Sequence, residues 1–141
     1  MITEFRLEGA AELEAALRAL GPGFGERAAL AAVLAGARVA RRHVQSVAPR
    51  GSQPPHPKYG RLRDNIRVAA TARTAPEFTV AVHTGRAFWG SFLEFGTATM
   101  AARPWFTSAF EAASEAALRE LGEACARGIN REAERLAGKR K

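Results

Sequence analysis

The sequence predicts a small α+β domain: an antiparallel sheet of three to four strands packed against two long helices and shorter helices. Three observations carry this reading. Residues 25–47 and 104–136 repeat apolar side chains at three- and four-residue spacing, as helices with one buried face require. Between them, residues 66–82 alternate apolar and polar around Thr74-Ala75-Pro76, the pattern of an antiparallel hairpin. The run Phe88–Phe106 gathers both Trp and four of the eight Phe, so the largest burial per residue is concentrated where the elements should meet.

In chain order, Phe5 and Leu7 alternate with Glu4, Arg6 and Glu8, the period of a half-buried strand that Gly9 breaks. Leu13, Leu17 and Leu20 form a helical stripe over Ala10–Leu20, ended by Gly21-Pro22-Gly23. A longer helix follows over Gly25–Val47. It carries Leu30, Val33, Leu34, Ala37, Ala40, Val44 and Val47 on one arc, and Arg38, Arg42 and Gln45 opposite with Arg41 at the margin. Ala37 and Ala40 keep the buried arc narrow, so a neighbouring element can approach closely. Four Pro and two Gly in Pro49–Gly60 remove backbone donors and forbid helix, which predicts a Pro-rich loop over 48–60. The hairpin pairs Ile66, Val68, Ala70 and Ala72 with Phe78, Val80 and Val82 on one apolar face.

Within the aromatic run, Phe88, Phe92 and Phe95 recur at four and three, with Trp89 and Leu93 beside them, which fits a short helix burying a broad face. A period-two strand is the alternative reading. Gly96 closes the pattern where a left-handed backbone is expected, and Thr97, Ala98 and Thr99 read as loop. Pro104 precedes the last helix, and Trp105 and Phe106 open it. Phe92, Phe95 and Phe106 are expected in the core, Phe106 on a face continued by Phe110, Ala113, Ala117, Leu121 and Ala124. Residues 137–141 read as a loose basic tail.

The 141 residues fit a single domain, 1–141. A hydrophobic share of 47% against 25% charged excludes disorder over most of the chain. No run has the apolar length of a membrane span, and the first residues lack the apolar region of a signal peptide, so a protein without a membrane partner, made in the cytoplasm, is expected. Cys125 is the only cysteine and reads as a small buried hydrophobe. The net charge of +7 is carried by the middle: residues 38–103 hold eleven basic and three acidic groups. Such a segment meets a polyanion or an acidic protein, or is a solvated arginine-rich face.

No enzyme is expected, and no catalytic residue, metal ligand or cofactor site. His43, His56 and His83 fall on a helix, a loop and a strand with no carboxylate or thiol at ligand spacing. There is no nucleophile elbow, paired-carboxylate motif or phosphate loop. Glu94, between Leu93 and Phe95, has no partner for acid–base work and is read as structural, accepting hydrogen bonds near Thr97 or pairing with an Arg.

Four blocks in order carry a family resemblance: Gly9–Leu20, the helix end Val47-Ala48-Pro49, Gly60–Ile66, and Phe88–Thr97 with Arg103-Pro104-Trp105-Phe106. They resemble the tail-completion or minor tail components of the head-tail connector of long-tailed bacteriophages. The family motif falls on Phe88, Trp89, Phe92, Glu94, Phe95, Gly96, Thr97, Pro104, Trp105 and Phe106. Phe88-Trp89-Gly90 stands where Tyr-Ala is usual, Pro104-Trp105-Phe106 where Pro-Phe is usual, and the loop after Pro49 is longer. The resemblance implies a non-enzymatic virion protein at the neck or tail top, completing the tail as a ring around the DNA path, six copies following from the sixfold tail. Its implied partners are its own copies, a head-closure or stopper protein, the tail tube or a terminator protein, and DNA passing without sequence recognition. Tail terminator is the alternative role, and gene transfer agents use relatives of the same parts. Arg38, Arg42, Arg61, Arg63 and Arg67 are the candidate assembly-interface residues. A DNA-binding module using these and Arg41 is the rival of another class.

Overall fold

The computed structural model describes residues 2–6, 24–51, 53–74 and 77–139. The helix expected over Ala10–Leu20, the tip of the hairpin at 75–76 and the end of the basic tail lie outside the described residues.

Strand β1 (Ile2–Arg6) is followed by helix α1 (Phe24–Val47), a 3-10 turn (Leu62–Asn65), strands β2 (Arg67–Thr74) and β3 (Glu77–His83), the short helix α2 (Trp89–Phe95) and the long helix α3 (Trp105–Gly138). The three strands form one antiparallel sheet in the order β1-β3-β2, which is the α+β class expected. β2 and β3 pair from Arg67 opposite His83, with an irregularity between Ala70 and Ala72.

The sheet packs on α1, and α1 packs on α3. Phe78, Val80 and Val82 project from the central strand onto Val33, Ala37, Ala40 and Val44, and Phe106, Phe110, Ala113, Ala117 and Leu121 close the core from α3. One expectation needs correcting: β3 does not have a single apolar face, because Thr79 and Ala81 are buried as well. β3 is the central strand, paired with β1 and β2 along its two edges, and its small side chains Thr79 and Ala81 leave little area accessible between those neighbours.

Small residues set the spacing of the two long helices. A Cβ built on Gly36 would stand 2.8 Å from the Ala117 carbonyl oxygen and 3.3 Å from Leu121 Cβ, and Ala32, Ala37, Ala40, Ala113 and Ala117 belong to the same core. The narrow alanine arc foreseen on α1 therefore does what its volume dictates: it lets the α3 backbone come close. Cys125 lies in this core, and burial raises the pKa of its thiol.

Candidate functional site

Helix α2 inverts the usual amphipathic arrangement. Its buried residues are Gly90 and Glu94, one turn apart, while Phe88, Phe92 and Phe95 are 56%, 47% and 70% exposed. The placement of Phe92 and Phe95 in the core is thus overturned; Phe106 alone of the three is buried, at 0% exposure. The reason lies in what faces inward. A Cβ on Gly90 would lie 3.0 Å from Leu62 Cδ1 and 3.2 Å from Thr84 Cγ2, so glycine lets α2 seat closely there and a larger residue would push those side chains back by a few tenths of an ångström. Trp105 Nε1 donates to the Gly90 carbonyl at 3.3 Å from the same side. With that face used, the aromatic stripe has to point out.

Glu94 explains the rest of the geometry. The Phe106 N–H donates to Glu94 Oε2 at 2.8 Å and the Thr107 N–H to Oε1 at 3.1 Å, and the Thr107 hydroxyl also donates to Oε1. Pro104 is the N-cap position of α3 and its side chain cannot cap, so two orphan amides of the first turn would be left without acceptors. A carboxylate from another helix takes them, at the end where the helix dipole favours negative charge. The expected partners near Thr97 are replaced by these; Thr97 instead exchanges backbone hydrogen bonds with Met100.

Between them, Gly96 turns the chain. It has φ +76°, and a Cβ there would stand 2.7 Å from the Ala102 nitrogen and 2.8 Å from the Met100 oxygen. Its N–H caps Phe92, and Arg103 N–H donates to the Leu93 carbonyl, tying the loop under α2.

The Pro-rich loop folds onto the aromatic face. His56 and Gly60 exchange backbone hydrogen bonds, and the Lys58 and Tyr59 N–H groups donate to His56 Nδ1. The His56 ring stacks between Tyr59 at 4.8 Å and Trp89 at 5.3 Å, and Phe88 meets both Trp89 and Phe92 edge-on. A groove of about 910 Å³ runs between the loop and α2, with Pro54 and Pro55 on one wall and Phe88, Trp89 and Leu93 on the other. Arg50, Arg61, Arg63 and Arg103 line it too.

The structure therefore brings Arg61 and Arg63 to the aromatic face, with Arg63 3.9 Å from the Asp64 carboxylate. Arg38 and Arg42 stand exposed on α1. Arg67 is elsewhere, beside His83. Sequence reasoning missed His56, Arg50 and Arg103 as members of this surface. No spacing joins them; only the unusual density of proline and aromatic residues in both stretches hinted that the two would touch.

Among the described residues no three His, Cys, Asp or Glu side chains are grouped to hold a metal ion, and no helix is long and apolar enough to cross a membrane. The one buried carboxylate near the aromatic face is fully engaged in capping a helix.

The aromatic helix is thus exposed on one side, tied from behind by the Glu94 hydrogen bonds to the start of α3, and edged by basic side chains. The chain belongs to the HK97-gp10-like family, whose profile, described as "Bacteriophage HK97-gp10, putative tail-component", matches residues 11–96, more than half of its length. It is thus a phage tail component by family, a structural virion protein. The match begins at residue 11, within the first sequence block, takes in the second and third, and ends at Gly96, within the fourth; the Arg103–Phe106 segment beyond it is joined to the matched part by Glu94. Comparison with curated proteins and with solved structures gave no match.

Proposed function

We propose that the protein completes the tail at its head-proximal end as a ring of copies, six in number, around the DNA path, with α2 as the docking face. The observation that carries this is the outward stripe Phe88, Phe92 and Phe95. Three exposed phenyl rings, two on a seven-residue helix and one at its N-cap, are costly in water and become favourable when a neighbour covers them. A domain of 15.1 kDa does not by itself encircle a duplex, so a closed head-to-tail ring is the geometric route to a conduit.

Charge supports the same reading. Arg50, Arg61, Arg63 and Arg103 rim the aromatic groove, whereas Glu111 and Glu115 are exposed on α3. In the ring, the rim of one copy meets the α3 carboxylates of the next, which fixes orientation as much as affinity. The head-closure or stopper protein and the tail tube or terminator protein then bind the two ends of the ring.

Electron microscopy of particles assembled with Phe92→Ser/Phe95→Ser protein tests the reading. Untailed heads or unjoined tails are expected from a variant that keeps its fold. Normal tailed particles in normal number would overturn it.

A further inference from the structure

A second cavity, of about 570 Å³, lies at the open end of the hairpin and is lined by Lys58, Tyr59, Arg67, His83 and Arg86 with the turn at Gly85. Three cations meet there. Among the described residues no carboxylate lines it, and none of Lys58, Arg67 and Arg86 makes a salt bridge.

The fold forces these side chains together. Arg67 and His83 are register partners, so their side chains leave the same face of the sheet. Gly85, at φ +56°, brings the following turn to the end of the 3-10 helix, where a Cβ would stand 2.9 Å from the Asn65 carbonyl oxygen. That close approach sets Arg86 beside Arg67. Asn65 Nδ2 donates to the Tyr59 and Arg61 carbonyls, and so fixes the segment that carries Lys58. The Gly85 N–H donates to His83 Nδ1 at 3.0 Å, which leaves the proton of the neutral imidazole on Nε2. His83 is therefore a donor without being charged.

We propose that this cavity binds the phosphate oxyanion, and that its ligand is a phosphodiester of the duplex DNA backbone. Lys, two Arg and an imidazole N–H match oxyanion recognition, with guanidinium forks for paired oxygens. Nothing in the lining suits a nucleoside. The Tyr59 ring is already stacked on His56 and has Lys58 Nζ 5.4 Å from its centroid, and no carboxylate waits for a ribose hydroxyl. A site that reads phosphate but neither base nor sugar fits a polymer backbone, and the chain's charge of +7 favours a polyanion. The inference does not rest on the ring, because a single free chain has the cavity.

The test uses the full chain in solution at constant ionic strength. Titration with inorganic phosphate, chloride as control, is followed by NMR at the His83 imidazole and the arginine side-chain N–H groups. Saturable shifts at His83, Arg67 and Arg86 are expected, and a 20-base-pair duplex is expected to displace the phosphate. R67Q/R86Q should weaken duplex binding at least tenfold and make its salt dependence shallower by about two phosphate contacts. Both arginines are exposed, so an unchanged thermal midpoint verifies the fold of that variant. No saturable shift at His83 would overturn the proposal. Phosphate binding that duplex DNA fails to displace would overturn the assignment to DNA, and so would displacement by poly-glutamate alone.

Discussion

Glu94 and Phe106 stand twelve residues apart in sequence and 2.8 Å apart in space, the carboxylate of one accepting the backbone N–H of the other. That bond, with its companions at Thr107, makes the aromatic helix and the long helix a single unit.

Removing the carboxylate should therefore damage α3, although the residue sits on α2. Glu94→Ala is expected to cost about 2–3 kcal/mol, the loss of a cap that leaves the buried Phe106 N–H and the part-buried Thr107 N–H unpaired. Glu94→Gln keeps an acceptor oxygen and should lose less. Urea denaturation monitored by circular dichroism measures both, and equal stability of Glu94→Ala and the parent would refute the capping role.

Gly96 and Gly122 should respond in opposite directions. At Gly96 a side chain meets both a left-handed backbone and atoms under 3 Å away, so Gly96→Val is expected to cost about 3 kcal/mol. At Gly122, mid-helix with nothing within 4 Å, Gly122→Ala should stabilise by about 0.5–1 kcal/mol. Thermal midpoints decide, and a stable Gly96→Val would show that the turn can relax.

The aromatic residues should divide by position. Phe106→Ala opens the core and is expected to cost about 3–5 kcal/mol. Phe95→Ser, at a side chain mostly in water, should change stability by less than about 0.5 kcal/mol. Comparable losses for the two would mean that the outward face is covered within the chain.

His83 supplies a pH dependence. Burial, and then the Arg67 guanidinium, hold its pKa below 6.5 in the folded chain. The unfolded chain consequently takes up its proton first as pH falls. This contribution to stability is constant well above pH 6.5 and declines as pH drops through that value toward the folded-state pKa. His83→Gln should flatten the decline between pH 7 and 5, as measured by denaturation at several pH values. Retention of the full slope would assign it to another group.

Much of this fold is legible in the residues because it rests on local periodicity. The arc Val33, Ala37, Ala40 and Val44, the alternation Phe78, Val80 and Val82, and the stripe Phe106, Phe110, Ala113 and Ala117 are buried as their spacing implies. Periodicity also finds α2, but it says only that Phe88, Phe92 and Phe95 share a face. Which way that face turns depends on Gly90 fitting against Leu62 and Thr84, contacts made across gaps in sequence that no spacing encodes. Glu94 was marked as unusual by its apolar neighbours, yet its partners are backbone amides, which have no letter in the sequence. The cluster of Lys58, Arg67, His83 and Arg86 is hidden for a similar reason: hairpin register and the Gly85 turn assemble it from three separate segments.

The tight seat of Gly36 on Ala117 has a mechanical consequence. Helices whose backbones touch cannot slide or roll without a clash, so α1 and α3 behave as one beam. With 34 residues, α3 is a rod about 50 Å long at ~1.5 Å per residue, and its first turn is bolted to the aromatic helix by Glu94. Any load taken up at Phe92 or Phe95 would therefore pass into that rod at its first turn, through the Glu94 carboxylate and the amides of Phe106 and Thr107.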